Sequence, residues 1–389
     1  MKGSIFSSKR IEQFRHIKTP FYYYDVELLK ENLKTLTTEA RRYGYHIHYA
    51  LKANANIPLL GIIRQFGLGA DCVSGSEIDR ALHAGFTPES IVFAGVGKRD
   101  DEILFALQNE IFAFNCESIQ ELQVINTLAN QMGKIARVAL RLNPDVDPHT
   151  HEYITTGKEE NKFGIPTSQL ETALQVVAQS SHLELIGLHF HIGSQITDLT
   201  VFKELALEVN RLQQRILKLG YRLPHLNLGG GLGIDYQHPD AHPIPDYAGY
   251  FETIATYLQP LPGQQIHFEL GRAIVGQCGS LITRVLYVKE GLKKRFAIVD
   301  AGMTDLIRPA LYGAYHQIQN LTSTGAEQVY DVVGPVCESS DFLGKAVPLP
   351  EVRRGDLLAV RSAGAYGQVM ASHYNLRDFP GEVYSNMLE

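Results

Sequence analysis

Tryptophan is absent from these 389 residues, and lysine and arginine, 36 together, are outnumbered by 42 acidic side chains, for a net charge of −6. With no long basic tract either, the chain lacks the electrostatic footprint of a nucleic-acid binder. Cysteine is scarce. Cys72, Cys116, Cys278 and Cys337 stand singly with no Cys-x-x-Cys pair, which argues against a disulfide framework and against a zinc site. A reducing compartment fits them. No apolar run is long enough for a membrane span, and Met1 to Arg10 has no apolar signal core, so no membrane partner is expected and the expected location is the cytoplasm. Low-complexity segments are missing as well. What remains is a globular balance of 44% hydrophobic and 20% charged residues, at a length that favours two domains. The expected partner is a small molecule.

Short apolar runs rich in β-branched and aromatic residues recur between helical patterns. They lie at His46 to Leu51, Ala70 to Ser74, Ile91 to Ala94, Ile111 to Asn115, Ala136 to Asn143, Leu185 to His191, His225 to Leu228 and Gln265 to Leu270. The segments between them, such as Gln169 to Gln179 and Val201 to Gly220, carry apolar residues at helical spacing, with Gly220 placed as a C-cap. Eight such βα units predict a TIM barrel over residues 26–271. Beyond Gly271 the texture changes. Ser280 to Glu290, Arg295 to Val299, Gln328 to Val333 and Leu357 to Val360 read as strands linked by loops, which predicts an all-β domain over 272–389. The N-terminal 1–25 joins it, through a Thr19 to Asp25 strand expected to pair with the C-terminal sheet.

In a TIM barrel the chemistry sits where strands end, and these eight runs end on polar residues. Lys52 follows the first, at the close of an apolar stretch where an ammonium is hard to explain structurally. A lysine held partly out of water loses proton affinity and becomes an amine nucleophile for a carbonyl; the alternative is a lysine that snorkels to solvent. Asp71 and Ser74 belong to the second run, Asn115 and Glu117 to the fourth, and Arg141 and Asn143 to the fifth. His189 and His191 share a face at the sixth, followed by Ser194. They read either as a stack against a flat ring or as satisfied core histidines, and their i, i+2 spacing finds no third metal ligand. Gly229-Gly230-Gly231 follows the seventh run, as an anion-binding turn or simply a sharp one. Glu269 ends the eighth, suited to an ion pair with a protonated ring nitrogen, or to a structural pair with Arg272.

Taken together, Tyr49-Ala50-Leu51-Lys52-Ala53-Asn54, His189-Phe190-His191-Ile192-Gly193-Ser194-Gln195 and Gly229-Gly230-Gly231 resemble the fold-type III pyridoxal-phosphate enzymes, which pair a TIM barrel with a β domain and include alanine racemase and the basic amino-acid decarboxylases. Within that group the chain is similar to the diaminopimelate decarboxylases. The motifs are Asn143-Pro144-Asp145-Val146-Asp147, Thr155-Thr156-Gly157, Lys162-Phe163-Gly164, Asp300-Ala301-Gly302-Met303, Asp305 to Tyr312, and Cys337-Glu338-Ser339-Ser340-Asp341. The resemblance runs from about residue 20 to 385. It implies that Lys52 carries pyridoxal 5'-phosphate as a Schiff base, that His191 stacks on its ring, and that Glu269 pairs with its pyridine nitrogen. Ser194, Gly229, Gly230, Gly231 and Tyr366 would hold the phosphate. Arg272, Arg308 and Tyr312 would bind the distal carboxylate of the substrate, Glu338 its distal ammonium, and Cys337 would supply a proton. It further implies a homodimer, with Cys337 and Glu338 reaching the partner's site.

Departures from the family pattern occur at Leu270, where proline is usual, and at Thr304, Ser76 and His373. None removes a group with an assigned role. The implied reaction is decarboxylation of meso-2,6-diaminopimelate to L-lysine and carbon dioxide, the last step of lysine biosynthesis, because a substrate zwitterionic at both ends calls for arginines as well as an acid. The rivals are a decarboxylase of ornithine, arginine or a carboxylated polyamine, a racemase, which needs a second base on the opposite ring face, and a catalytically inactive binding protein of the same fold. The polar stretch Asp147 to Asn161 is the expected lid.

Overall fold

The computed structural model describes residues 5–144, 146 and 162–388. The chain divides into two compact units, Leu33–Gly233 with Asp246–Gly271, and Met1–Asn32 with Ile234–Pro245 and Arg272–Glu389. Ile234–Pro245, an excursion between two strands of the first unit, therefore counts with the second. The expected lid lies outside the described residues, as do Asp145, Asp147 and Thr155-Thr156-Gly157 of the family motifs.

In the first unit eight parallel strands close into a barrel: β1 (His46–Ala50), β2 (Gly69–Cys72), β3 (Ile91–Phe93), β4 (Ala113–Cys116), β5 (Ala136–Asn143), β6 (Leu183–His189), β7 (His225–Asn227) and β8 (Gln265–Leu270). Each pairs with the next, and β8 closes the ring on β1 with Glu269 opposite His48 and Leu270 opposite Tyr49. Leu270, in the place of the usual proline, thus continues the strand and is buried. The two-residue strand Ile165–Pro166 adds to the outer side of β5. Strand ends are positioned by tightly capped helices. Ser74 accepts the Glu77 amide at 3.2 Å, Ser118 accepts that of Glu121 at 3.1 Å, and Gly133 closes Ile119–Met132 in the left-handed conformation at φ 64°, each cap satisfying amides or carbonyls that the helix itself leaves open. The helix Thr200–Lys218 buries Val201, Phe202, Leu205, Val209, Leu212 and Ile216 along one stripe, and at about 1.5–3 kcal/mol for each large side chain buried such a stripe holds the helix on the barrel.

The second unit is an eight-stranded, mostly antiparallel sheet ordered Ile318–Asn320, Leu357–Val360, Gly279–Glu290, Arg295–Val299, Glu327–Val333, Phe342–Pro350, with Phe21–Tyr24 also on Gly279–Glu290 and Gly381–Tyr384 on Phe21–Tyr24. The N-terminal strand pairs as expected, Phe21 opposite Ile282 and Tyr24 opposite Gly279. Three strands were not expected: Ile318–Asn320, Phe342–Pro350 and Gly381–Tyr384. Phe6, Phe14, Phe21, Tyr23, Ile282, Leu357 and Ala359 form a core under this sheet.

Candidate active site

β1 runs into a single turn of 3-10 helix, Leu51–Ala53, which carries Lys52 past the strand end. Its side chain is 34% exposed, and Nζ lies 3.4 Å from Oδ2 of Asp71, whose side chain is fully buried in β2. This is not a lysine snorkelling to water. Burial first, and then the charge of Glu269, push the Asp71 carboxyl up to about 6, with Lys52 opposing them.

Glu269 is the hub of the barrel mouth. Asn115 at the end of β4 and Asn227 at the end of β7 donate to Oε1 at 2.9 and 2.8 Å, and His189 Nε2 lies 2.9 Å from Oε2. A carboxylate only accepts, so Nε2 of His189 carries the hydrogen. Burial alone would raise the Glu269 carboxyl, but His189, through its charge and its hydrogen bond, and then Lys52 outweigh it and hold the group well below the usual carboxylate range. Asn227 is oriented in turn, since its Oδ1 accepts the Gly229 amide at 2.9 Å. The carboxylate and the glycine turn are therefore built as one piece.

That turn leaves no room for side chains. A Cβ on Gly229 would stand 2.2 Å from the Phe190 carbonyl oxygen and one on Gly230 2.0 Å from that of Glu269, while Gly231 adopts φ +112°. The Gly230 amide donates to Nδ1 of the half-buried His191 at 3.2 Å. Burial, and then the charge of Lys52, keep that imidazole well below its ordinary pKa, hence neutral. Ile196 donates to the Gly231 carbonyl and its own carbonyl accepts the Gly233 amide, both at 2.9 Å. This short parallel bridge laces the Ser194 loop to the glycine turn.

A ring of polar side chains thus stands at the C-terminal end of a closed parallel barrel, with a lysine, an ionised glutamate and a glycine turn among them. Residues 27–276 match the model of the pyridoxal-dependent decarboxylase family, pyridoxal binding domain. The chain belongs to the pyridoxal-dependent decarboxylase family. It is 57% identical over 371 residues to a diaminopimelate decarboxylase of Bacteroides thetaiotaomicron, covering 95% of this chain and 96% of that one. It is 44% identical to one of Aquifex aeolicus over 94% and 86% of the two chains. A crystal structure of diaminopimelate decarboxylase from Helicobacter pylori complexed with L-lysine superposes with a TM-score of 0.91 at 43% identity, covering 96% of this chain and 93% of that one.

The cofactor of this decarboxylase family is pyridoxal phosphate, and the donor set at the barrel mouth fits it. A buried carboxylate kept ionised suits a protonated pyridine nitrogen, an amine poised against a carboxyl suits the aldehyde, and a glycine turn with no Cβ atoms to obstruct an anion suits a phosphate. The tight packing of Gly229 and Gly230 adds a second requirement for glycine there, independent of any anion.

The second unit holds the remaining candidates. Arg272, two residues beyond β8, donates from Nη1 to the Tyr236 hydroxyl at 2.6 Å and lies 4.8 Å from the Tyr366 ring. Tyr366 itself has φ 54°. The Arg308 guanidinium lies 5.5 Å from the Tyr236 ring and 5.9 Å from that of Tyr312, so Arg272, Arg308, Tyr312 and Tyr366 form one cluster around Tyr236. Cys337 and Glu338 lie on an exposed loop. The Cys337 amide donates to Asn375 Oδ1 at 3.2 Å, and Tyr374 donates its hydroxyl to Glu338 at 2.8 Å. Among the described residues no group of three or more His, Cys, Asp or Glu is arranged to hold a metal ion, and no helix is long and apolar enough to cross a membrane.

Sequence reasoning placed Asp71 and Asn115 at strand ends without giving them a task, and it missed Asn227, Tyr236 and His316 altogether. Asn227 had a signal, as a polar residue ending the seventh run beside the glycine turn. Tyr236 and His316 had none: the partners of Tyr236 are far away in sequence, and His316, although near Arg308 in the chain, stands in no recognisable pattern with it.

Proposed function

We propose that this chain decarboxylates meso-2,6-diaminopimelate at its D centre to give L-lysine and carbon dioxide, the last step of lysine biosynthesis. The observation that carries this reading is the pair of buried arginines, Arg272 and Arg308, gathered with tyrosines around Tyr236. Two guanidiniums gathered in one aromatic cluster suit a carboxylate, which each can meet bidentately. A diamine precursor such as ornithine offers no distal carboxylate to meet them, whereas diaminopimelate does.

Pyridoxal phosphate, when bound, would supply an aldehyde for the substrate amine and a protonated ring to take up the electron pair left on Cα as carbon dioxide departs. Lys52 would anchor the cofactor, and Asp71, within reach of Nζ, would take or return the proton of that amine. Glu269, kept ionised and immobile by Asn115, Asn227 and His189, holds the ring nitrogen protonated. His191, neutral and tied to the glycine turn, packs against the ring, while Ser194, Gly229 to Gly231 and Tyr366 bind the phosphate. Arg272, Arg308 and Tyr312 would fix the distal carboxylate and Glu338 the distal ammonium. Cys337 would supply the proton for Cα. In this reading the protein is a cytoplasmic homodimer, with residues 26–271 as the cofactor domain, 1–25 and 272–389 as the β domain, and Cys337 and Glu338 serving the partner's site.

Purified holoenzyme offered meso-diaminopimelate, ornithine, arginine and carboxylated polyamines in parallel, with carbon dioxide release measured, tests the proposal. Lysine formation from the first substrate alone supports it. Release from ornithine or arginine with none from diaminopimelate overturns it.

A further inference from the structure

We infer that His316 is a positioning residue for substrate recognition, which sets the plane of the Arg308 guanidinium so that its terminal fork is aimed at the distal carboxylate. The inference rests on the proposed assignment of Arg308 to that carboxylate.

The geometry begins in the sheet. Ile318–Asn320 pairs antiparallel with the end of Leu357–Val360, Ile318 opposite Val360, and the next rung, where the Arg361 amide donates to the Gln317 carbonyl at 2.8 Å, fixes the backbone just beyond His316. The Arg361 carbonyl faces the imidazole, 2.8 Å from Nδ1. A carbonyl only accepts, so Nδ1 carries the ring hydrogen and Nε2 of the neutral ring is left as an acceptor. Arg308 donates its Nε–H to that nitrogen at 3.3 Å. Pinning Nε fixes the plane of a rigid, flat group.

The surroundings hold the ring in this state. His316 is buried, and the Tyr236 ring packs edge-on against it with centroids 5.1 Å apart. The same Tyr236 takes the hydrogen bond from Arg272 and lies under Arg308, so one phenol spaces the two guanidiniums while His316 orients one of them. Burial, then Arg308 and Arg272, push the His316 pKa down to about 3. The ring therefore remains an acceptor throughout the neutral range and never adds a third positive charge. A cation that is buried, flanked by another cation and bonded to a neutral base is held ready for an incoming carboxylate.

Holoenzymes carrying His316→Leu, His316→Gln and Arg308→Lys are compared with wild type for kcat and KM on meso-diaminopimelate, for cofactor absorbance, and for inhibition by D-lysine, which lacks the distal carboxylate. His316→Leu is expected to raise KM about tenfold with kcat little changed, because the fork loses its plane while the reacting centre is untouched. Inhibition by D-lysine and the cofactor spectrum should stay as in wild type. His316→Gln, whose side-chain oxygen accepts from Nε, should recover most of the loss. An unchanged KM in His316→Leu beside a raised KM in Arg308→Lys overturns the role of His316 and leaves the function standing. Parallel loss of kcat, spectrum and D-lysine inhibition in both His316 variants also overturns it, as a merely structural role. If Arg308→Lys itself leaves KM unchanged, it is the assignment of Arg308 that fails.

Discussion

Two buried carboxylates lie within the same barrel mouth and are treated in opposite ways. Glu269 receives three hydrogen bonds and stays ionised, whereas Asp71 has Lys52 at 3.4 Å and an Oδ1 with no partner among the described residues. Because the Asp71 carboxyl is raised from 3.8 to about 6, its contribution to stability is fully present below pH 3.8 and is lost as pH rises through about 6. Asp71→Asn should therefore be more stable than wild type at pH 8, by up to about 3 kcal/mol, with no gain at pH 3.5, and it should lose activity. Urea midpoints at the two pH values check the sign; a variant that loses stability at pH 8 would show that Lys52 already neutralises Asp71 fully. Glu269→Gln places an amide among donors and leaves at least one of them unsatisfied, at a cost of about 1–3 kcal/mol. Thermal unfolding would register that cost, and decarboxylation should fall sharply while borohydride still attaches the cofactor.

At the scale of elements, the glycine turn is the least replaceable piece. A methyl on Gly230 would meet the Glu269 carbonyl at 2.0 Å, a backbone atom of β8 that moves only if the strand end moves. Gly230→Ala should destabilise the barrel by more than about 2 kcal/mol and weaken cofactor binding with it. Loss of cofactor affinity with unfolding unchanged would contradict the packing account. In the other unit, the helix Ser8–Arg15 buries only Phe14, which meets Phe21 and Tyr23 edge-on at 5.4 and 5.0 Å. Phe14→Ala should cost about 3–5 kcal/mol by denaturant unfolding, and a cost under about 1 kcal/mol would show that the helix is dispensable. Most elements were legible because their apolar period is local: β5, β8, Arg295–Val299 and Leu357–Val360 begin and end where the sequence pattern does. Phe342–Pro350 was not, since glycine and two prolines make it read as loop. It survives as a strand because it lies at one end of the sheet order, where Pro348 and Pro350 need not donate to a further neighbour. Gly381–Tyr384 was hidden for another reason, as its partner is Phe21–Tyr24 at the far end of the chain.

For the whole molecule, the barrel half of the candidate site was readable because the fold puts strand ends together, so the polar residues at those ends had to meet. The arginine cluster was readable only through family resemblance. Its organisers, Tyr236 and His316, are recruited by contacts between segments that no local pattern relates. The proposed homodimer, with sites shared between subunits, carries its own prediction. Mixed and reassociated Lys52→Ala and Cys337→Ala subunits, each inactive alone, should regain about a quarter of wild-type activity, since only heterodimers rebuild one intact site. No recovery, with heterodimers shown to form, would place both residues in one subunit's site.

The central claim is that Lys52, held against Asp71 at the end of β1, is the residue that bonds the cofactor. Borohydride reduction of the holoenzyme, followed by peptide mapping by mass spectrometry, tests it directly. The account predicts a single pyridoxyl phosphate adduct on the peptide containing Lys52, lost in Lys52→Ala together with the visible absorbance. An adduct on any other lysine, or a Lys52→Ala protein that keeps both the absorbance and the activity, would contradict it.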